Sequence, residues 1–582
     1  MAAVLCAACG PNGNETQGLH SIEVQPANAT IAMPSGAPVD YKAIGHYNDG
    51  HTHVLTDAVF SLDNSASALG SLAVNEFTAS GAAAGTGNVI ATDGSASGST
   101  PVNVVVHRVN IDPTAPQGAE TNFPDNPATG AMSPVIDYPL DGAVMPTSVK
   151  APDVQWEGAN AATDLYRVRF VAGMATVDTI LVAGPTFKLD SAPLPADWQL
   201  LLASAGTQPI SLEVDHWDAT SGAQASTPVH VRPINANVAG AIYYWDLSQG
   251  QMQRIDANGR ALAIPNPPPN PSDGSNHCVA CHVVSRDGRY LSGELWGGGM
   301  QGAVFDLSDP NVQSGNPAPT LAPVSTSSYQ SLFSTFNPDA SRLIINVGTQ
   351  MQLIDPHTGM AVAAQGSPLP TSGAAHPCWS PDGTAVVYAA NVLNGGAAAG
   401  WAVDYTSGDL AVIPVTGPDT FGAPAVIVPG AAQDPAFAAP SWPSFAPDSN
   451  WIAYGAGVNS RGRTAVNNVE TTFPGSLFMI PKAGGTPTRL DTACGSARNC
   501  FLPNFSPYDD GGYYWLVFYS LRDYGNTLAG TKGTTRRQMW VTAIDKSKLG
   551  TADASSVPYW IPDQDTATEN MSAFWALPPP LQ

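Results

Sequence analysis

Charged side chains are scarce in this chain of 582 residues, where they make up 12% of the total. Only 23 are Lys or Arg against 47 Asp or Glu, and the formal net charge of −24 argues against nucleic acid or an anionic membrane surface as a partner. No run of about 18 apolar residues occurs, so we expect no membrane-spanning helix. Heptads and long stretches of helical period are absent as well. Few lysines and an acidic balance favour an exported protein.

Glycine and proline are abundant, with 56 and 52 residues. This composition is typical of many short strands joined by turns, and it predicts an all-β protein. A chain of this length is too long for one hydrophobic core, so we expect several domains. The predicted boundaries are a signal remnant and linker (1–20), a first β-sandwich (21–108), a linker (109–131), a second β-sandwich (132–233) and a repeat domain (234–582).

The N-terminal stretch Met1-Ala-Ala-Val-Leu-Cys6-Ala-Ala-Cys9-Gly10 resembles the end of a bacterial lipoprotein signal, in which Ala-Ala precedes a cysteine that becomes lipidated. The basic segment and most of the apolar segment of such a signal are missing. The resemblance implies an envelope or extracellular location, with membrane attachment only through a lipid on Cys9. An ordinary apolar N-terminus is the alternative.

Both predicted sandwiches rest on short alternating strands between turn residues. The order of segments in 21–108 resembles the bacterial Ig-like (group 2) domain. In the second, the opening Tyr138-Pro-Leu-Asp-Gly and the run Tyr166-Arg-Val-Arg-Phe170 resemble a fibronectin type III domain. Such Ig-like modules act as spacers or adhesive surfaces, and neither range contains residues that suggest catalysis.

A repeat begins near Ala241, and it decides the predicted fold of the C-terminal part. Each copy is a strand, a tight turn like Ser-Pro-Asp-Gly, and a second apolar strand. The five copies cover 283–291, 336–344, 379–387, 445–453 and 505–511. This pattern resembles the TolB-type (PD40, WD40-like) β-propeller, and the resemblance covers most of 234–582. It implies a propeller with an envelope binding or scaffold role.

The two ends of the repeat domain predict how many blades it has. Segments 241–247 and 251–256 have the pattern of outer strands without a preceding turn, and 571–575 has that of an inner strand without outer strands after it. Together they would complete one blade from both ends, which removes exposed sheet edges. The predicted fold class is therefore two Ig-like β-sandwiches followed by a six-bladed β-propeller closed by its N- and C-terminal strands.

Cys278-Val-Ala-Cys281-His282 is the motif that indicates chemistry. C-x-x-C-H is the pattern by which a c-type haem is attached, with two thioethers from the cysteines and the histidine as the proximal iron ligand. A Cys278–Cys281 disulfide or a metal other than haem iron are the alternatives. Zinc is disfavoured because no second C-x-x-C supplies the remaining ligands.

A haem would need a second axial ligand, and three residues are candidates. Met300 lies in the long loop between the second and third strands of the blade that carries the motif, whereas His376 and Met571 lie in loops that enter later blades. All three are on the face where the loops are longest. We rank them level. A methionine would raise the reduction potential relative to a histidine. An open sixth position remains the alternative.

The other cysteines are expected to be structural. Cys494 and Cys500 close a short loop and are predicted to form a disulfide, while Cys378 is predicted to be free and buried.

The sequence thus predicts an envelope-anchored monohaem cytochrome on a propeller, which transfers electrons to a redox partner protein. The first alternative is a TolB-like binding or scaffold module with a Cys278–Cys281 disulfide, and the second is a haem enzyme or sensor. No hydrolase signature is present, and no catalytic residue is assigned.

Overall fold

The computed structural model describes residues 18–159, 161–182, 184, 186–187, 195–236, 238, 240–256, 259–270, 274, 277–296, 301–314, 331–394, 405–460, 463–466, 469–472, 475–496, 499–509 and 511–578. The lipidation candidate Cys9 and the ligand candidate Met300 lie outside these residues. No helix in these ranges is long and apolar enough to cross a membrane.

The elements before the propeller, in chain order, are β1 (Leu19–Gln25), β2 (Ala29–Met33), β3 (Val39–Asp40), β4 (Lys42–Tyr47), β5 (Thr52–Val54), β6 (Val59–Leu62), α1 (Asn64–Leu69), β7 (Gly70–Ala73), β8 (Glu76–Ala79), β9 (Gly85–Asp93), β10 (Ala96–Ile111), β11 (Val135–Tyr138), β12 (Ala143–Pro146), β13 (Val154–Glu157), β14 (Leu165–Ala172), β15 (Ala175–Val182), β16 (Thr186–Phe187), α2 (Pro195–Ala205), β17 (Ile210–Asp218), β18 (Gly222–Ala225) and β19 (Val229–Ile234).

Those that follow are β20 (Ala241–Asp246), β21 (Gln251–Asp256), β22 (Gly259–Leu262), β23 (Val279–Val284), β24 (Tyr290–Leu295), β25 (Gln301–Asp306), α3 (Pro310–Ser314), β26 (Ser334–Phe336), β27 (Leu343–Val347), β28 (Gln350–Ile354), β29 (Gln365–Gly366), β30 (Ala375–Trp379), β31 (Ala385–Asn394), β32 (Tyr405–Gly417), β33 (Thr420–Phe421), β34 (Ala425–Val428), β35 (Ala439–Phe445), β36 (Trp451–Gly457), β37 (Arg463–Val466), β38 (Val469–Thr472), β39 (Gly475–Pro481), β40 (Thr488–Arg489), α4 (Asp491–Cys494), β41 (Cys500–Phe505), β42 (Tyr513–Ser520), β43 (Gln538–Asp545), β44 (Tyr559–Trp560) and β45 (Asn570–Ala576).

The chain forms two compact units, and we describe each separately. The N-terminal unit comprises the described residues of 1–134, 158–184 and 189–228. Its largest sheet runs in the order β17-β14-β15-β10-β9-β6, and two three-stranded sheets, β1-β4-β5 and β3-β8-β7, accompany it. Within its described residues the unit is therefore all-β apart from two short α-helices and the 3-10 turn Ala119–Asn122.

The long strand β10 connects the two ranges that the sequence assigned to separate sandwiches. Its first part pairs with β9, and its last part pairs in parallel with β15, from Val106 opposite Ala175 to Ile111 opposite Ile180. Alternate side chains of β10, those of Val102, Val104 and Val106, are buried. This period of two is what a half-buried strand requires.

The propeller unit comprises the described residues of 135–157, 185–188 and 229–582. The predicted second sandwich, 132–233, is therefore divided between the two units. Its early strands β11 and β13 pair with each other and with β16, and β12 pairs in parallel with β19. None of these pairings involves an inner strand of a blade.

Tyr138 shows why these early strands belong with the propeller. It is 2% exposed, and it packs in one core cluster with residues of β42, β43 and β44. Its ring meets those of Tyr524 and Trp540 edge to face, at centroid distances of 4.8 and 6.1 Å. The backbone N–H of Trp560 donates to its hydroxyl at 3.1 Å. Burial of a large aromatic side chain is the main stabilising contribution here.

Six sheets form the blades, as the sequence predicts. They are β22-β21-β20-β45, β23-β24-β25, β26-β27-β28, β29-β33-β32-β31-β30 with β34, β35-β36-β39-β40 and β41-β42-β43-β44. We call the first the closing blade and the others blades 1 to 5. Each inner strand contacts that of the next blade, and β45 contacts both β41 and β23. The sheets therefore form a closed ring.

The closing blade is made from both ends of the domain. Strand β45 pairs antiparallel with β20, from Ala241 opposite Ala576 to Asp246 opposite Asn570. The prediction that the terminal strands complete the sixth blade is confirmed.

The repeated turn has the same backbone hydrogen bond in blades 1 to 4. In blade 3 the Ser380 hydroxyl donates to Asp382 at 2.6 Å, and the Gly383 N–H donates to the Ser380 carbonyl at 2.9 Å. Gly383 has a φ of 76°, a left-handed value that glycine adopts without strain. Ala340 and Ser449 adopt the same conformation in blades 2 and 4, with φ of 56° and 64°.

Candidate functional site

The inner strands of all six blades line a central channel that contains a cavity of about 180 Å³. A side chain reaches this cavity from each inner strand because the first strand of every blade runs along the propeller axis. The walls are mainly apolar, and seven prolines contribute to them: Pro338, Pro377, Pro381, Pro443, Pro447, Pro503 and Pro507. A concave apolar site with a few polar groups is the usual form of a ligand site.

The inner strands share an irregularity that shapes the channel. In five of them the pairing register shifts, and one non-glycine residue at the shift has a φ between 48° and 55°. These residues are Cys281, His376, Trp442, Leu502 and Ser572. A bulge turns the strand locally and redirects its side chains. Because the bulge recurs at the equivalent position, it belongs to the architecture of the ring.

A cluster of rings lies at this level of the channel. His376 is 3% exposed and stacks on Trp442 with a centroid distance of 3.7 Å. Phe333, the equivalent residue of blade 2, meets both rings edge to face at 4.9 and 4.7 Å. Tyr405 donates its hydroxyl proton to the Pro440 carbonyl at 2.7 Å. We call Phe333, His376, Tyr405 and Trp442 the ring cluster.

The hydrogen bonds of His376 determine which nitrogen holds the proton. Nδ1 accepts from the backbone N–H of Trp442 at 3.4 Å and lies 3.3 Å from the Tyr405 hydroxyl. An accepting Nδ1 assigns the proton of the neutral ring to Nε2. In this arrangement His376 packs against Trp442, and an Nε2 that holds the proton has no lone pair to offer to a metal. The assignment of His376 as an iron ligand stays a prediction.

The predicted haem motif lies in a β-strand. Val279 and Ala280 pair with Leu295 and Glu294 of β24, before the bulge at Cys281. Cys281 packs against the core cluster that contains Phe333 and Tyr405. Cys278 instead lines a separate pocket with Gly250, Leu262 and His277. The two thiols therefore face different surroundings.

His282 is half-buried, but both of its ring nitrogens are enclosed, and neither has a hydrogen-bond partner at normal geometry among the described residues. Burial lowers the pKa of His282 to about 4, against a weak opposing effect of the Tyr243 backbone. Burial also raises the pKa of the Cys278 thiol, to which the nearby Glu294 carboxylate adds. These shifts keep the imidazole and the thiol neutral at pH 7.

Met571 is close to the ring cluster. It packs on the core formed by Phe501, Leu502 and Tyr519, against which Trp442 also packs. The structure thus brings Met571, His376 and Cys281 to the same level of the channel, whereas Met300 lies outside the described residues.

The motif residues as folded do not fit a covalent haem. Two thioethers must reach the same macrocycle, and the histidine after the second cysteine must offer a nitrogen to its iron. Here Cys278 and Cys281 face different surroundings, and both His282 nitrogens are enclosed. Across the described ranges, no group of three His, Cys, Asp or Glu side chains is arranged to hold a metal ion.

The predicted Cys494–Cys500 disulfide is not formed in this structure, and neither is the Cys278–Cys281 disulfide that was the alternative to a haem. Burial would raise the pKa of the Cys500 thiol. The hydrogen bond from Cys494 and the positive charge of the Arg522 guanidinium outweigh burial, and together they lower this pKa. The two thiols are therefore adjacent but unbonded. Cys378 is free as predicted, and burial raises its pKa to about 11.

Of the ring cluster, sequence reasoning identified only His376, and it missed Arg286, which also lines the channel. The proline pattern of the repeat contains the signal that could have identified Arg286. Pro377, Pro443 and Pro503 occupy one inner-strand position, where blade 1 has His282. The turn position that is proline in Pro338, Pro381, Pro447 and Pro507 is Arg286 in blade 1.

No protein-family model matches the chain, and neither does any curated protein. Among solved structures, it is similar to TolB from Acinetobacter baumannii, with 11% identity, a TM-score of 0.36 and coverage of 63% of this chain and 79% of that chain. A putative TolB from Agrobacterium tumefaciens has 14% identity, a TM-score of 0.30 and coverage of 58% and 98%. A nidogen/laminin complex has 8% identity, a TM-score of 0.35 and the same coverage. The six-bladed ring is established by the sheets themselves.

Proposed function

We propose that the chain is a binding module of the bacterial cell envelope and that its propeller holds a ligand in the central channel. The observation that carries the proposal is the cavity of about 180 Å³ that all six inner strands line, with the ring cluster at one level of its wall. Aromatic and proline walls offer apolar contact area to a ligand at little cost in side-chain entropy.

The ring cluster is rigid, which suits a binding wall. His376 is held by the Trp442 N–H, and Trp442 donates its indole N–H to the Ser460 carbonyl at 3.0 Å. A wall whose rotamers are already set loses little entropy when a ligand binds.

The envelope location rests on the acidic composition and on the N-terminal resemblance to a lipoprotein signal. Attachment through a lipid on Cys9 is part of this proposal.

The test is fluorine NMR of the full chain labelled with fluorotryptophan. Short N-acetylated peptides that end in Phe serve as probes, and Trp442→Phe assigns the Trp442 resonance. We expect that resonance to shift saturably. The matched control is Trp451, which packs on the core under blades 4 and 5 and does not line the channel. Absence of any Trp442 shift at millimolar peptide, or equal shifts at both residues, would overturn the proposal.

A monohaem cytochrome that passes electrons to a redox partner is the second candidate. The motif at Cys278, Cys281 and His282 favours it, together with the grouping of Met571 and Cys281 at one level of the channel. It requires the start of β23 to leave its pairing with β24, so that both thiols face one side.

A visible spectrum of purified protein decides between the two. A c-type haemochrome band that disappears in Cys278→Ala/Cys281→Ala would establish the cytochrome. A colourless protein eliminates it and leaves the binding module.

A further inference from the structure

Blade 1 departs twice from the proline pattern of the repeat, and both substitutions place an ionisable side chain in the channel. His282 replaces the proline of the inner strand, and Arg286 replaces the proline of the turn. A proline at these points is structural, because it restricts the backbone and donates no hydrogen bond. Proline stands at the His282 position in blades 3, 4 and 5 and at the Arg286 position in blades 2 to 5, so neither ionisable residue of blade 1 is needed for the ring itself.

Arg286 is half-buried, and in the part of the chain that the structure describes no carboxylate forms an ion pair with it. Its recorded polar contact is the Pro507 carbonyl, at 3.5 Å from Nη2. Burial lowers the pKa of Arg286, and no neighbouring acid opposes this shift. The guanidinium therefore keeps most of its hydrogen-bonding capacity for another partner.

The neighbouring Arg289 shows the contrast. Its side chain is 43% exposed, lies outside the channel lining and pairs with Asp306 at 3.0 Å. The Asp306 carboxylate and this arginine stabilise each other's charged forms, as the lowered pKa of Asp306 shows: burial would raise it, and the hydrogen bonds from Arg289 and Ser308 outweigh burial.

The channel as a whole is suited to an anion. Among the residues that the structure describes, no Asp or Glu lines the channel, although the chain carries a net charge of −24. A negatively charged ligand would therefore meet no facing carboxylate, and in this low-dielectric site its attraction to a cation is less screened than in water.

We infer that Arg286 binds the carboxylate of the ligand that occupies the channel, and that this ligand is an acidic peptide segment. A planar guanidinium binds a carboxylate through two parallel hydrogen bonds, which gives orientation as well as affinity. The proline and aromatic walls would hold the apolar part of the peptide. This inference rests on the proposed binding function and adds the chemical class of its ligand.

The test is calorimetric titration of the full chain with short N-acetylated peptides that end in Phe, each as the free acid and as the neutral amide. We expect the wild type to prefer the acid, and added salt to weaken that preference. Arg286→Pro introduces the proline that four other blades have at this turn position. Arg286→Gln keeps a long polar side chain and removes the positive charge. Both should weaken binding of the acid at least about tenfold and leave the amide unchanged. Arg289→Gln, the matched control, should bind the acid like the wild type.

The outcomes separate the two proposals. If acid and amide bind the wild type equally, or if the Arg286 variants bind the acid as tightly as the wild type, the inference is wrong and the binding function stands. If phenyl phosphate binds at Arg286 more tightly than every acid peptide, the carboxylate assignment is wrong. If neither acid nor amide binds the wild type, the inference and the binding function both fail. Unchanged circular dichroism and thermal unfolding of the variants exclude misfolding as the cause.

Discussion

Replacement of Tyr138 tests whether the strands before the propeller stabilise blade 5. The side chain is 2% exposed, and its hydroxyl accepts the Trp560 N–H at 3.1 Å. Tyr138→Phe keeps the packed ring and removes only the acceptor. Tyr138→Ala removes the ring as well. The two variants therefore separate the hydrogen bond from the packing.

The expected losses follow from those contacts. A buried N–H without a partner costs about 1–3 kcal/mol, which is the expected effect of Tyr138→Phe. Loss of a large buried aromatic side chain costs about 3–5 kcal/mol, which we expect for Tyr138→Ala. Two edge-to-face contacts, with Tyr524 and Trp540, put the value toward the upper end of that range. Tyr41 of the N-terminal unit is the matched control, since it is 0% exposed and its hydroxyl has no hydrogen-bond partner.

The assay is denaturant unfolding combined with hydrogen exchange read by mass spectrometry. Tyr138→Ala should increase exchange in β42 and β43, whereas Tyr41→Ala should increase it in the N-terminal unit. Tyr41→Phe should cost little, since no hydrogen bond is lost. The reasoning is refuted if Tyr138→Ala costs less than about 1 kcal/mol. The reasoning is also refuted if exchange increases in β14 and β17 and not in blade 5. That result is expected if residues 132–233 form one β-sandwich, as the sequence predicts.

Two further predictions concern titration and oxidation. His282 is neutral in the folded chain, with its pKa lowered from 6.5 to about 4. The unfolded chain binds the proton first as pH falls, so wild-type stability relative to His282→Asn should decrease between pH 6.5 and 4, by up to about 3 kcal/mol. Unfolding curves across this range measure it, and parallel pH profiles would contradict it. Mild oxidation should join Cys494 to Cys500 because the thiols are adjacent, and Cys378, whose raised pKa keeps it protonated at pH 7, should react with an alkylating agent more slowly in the folded chain than after unfolding. Peptide mapping without reduction checks both, and any cross-link to Cys378 would contradict the assignment.

The blades could be predicted from sequence because their signals are local. The Ser380–Asp382–Gly383 turn is held by hydrogen bonds between residues at most three apart, so the copies share a similar turn sequence. The closing blade was also predictable, because strands without a turn at one end and without outer strands at the other can only complete each other. The alternation of buried and exposed side chains along β10 is likewise a signal that residues close in sequence provide.

The candidate site was less predictable because its members meet only through packing. Phe333, His376 and Trp442 come from three different blades and are brought together by ring closure. The motif at Cys278–His282 gave the residue types, but the pairing of β23 with β24 and the bulge at Cys281 decide where each side chain lies. A one-residue change of register moves a side chain to the opposite face of a strand.

By itself, the sequence determined the all-β class, the blade repeat and its closure, since turn chemistry and strand alternation act within a few residues. Only the tertiary structure decided that Tyr138 packs under blade 5, that Cys278 and Cys281 face different surroundings, and that Arg286 lines the channel. The physical reason is that burial depends on which surfaces meet, and these residues meet partners that are tens to hundreds of positions away in the chain.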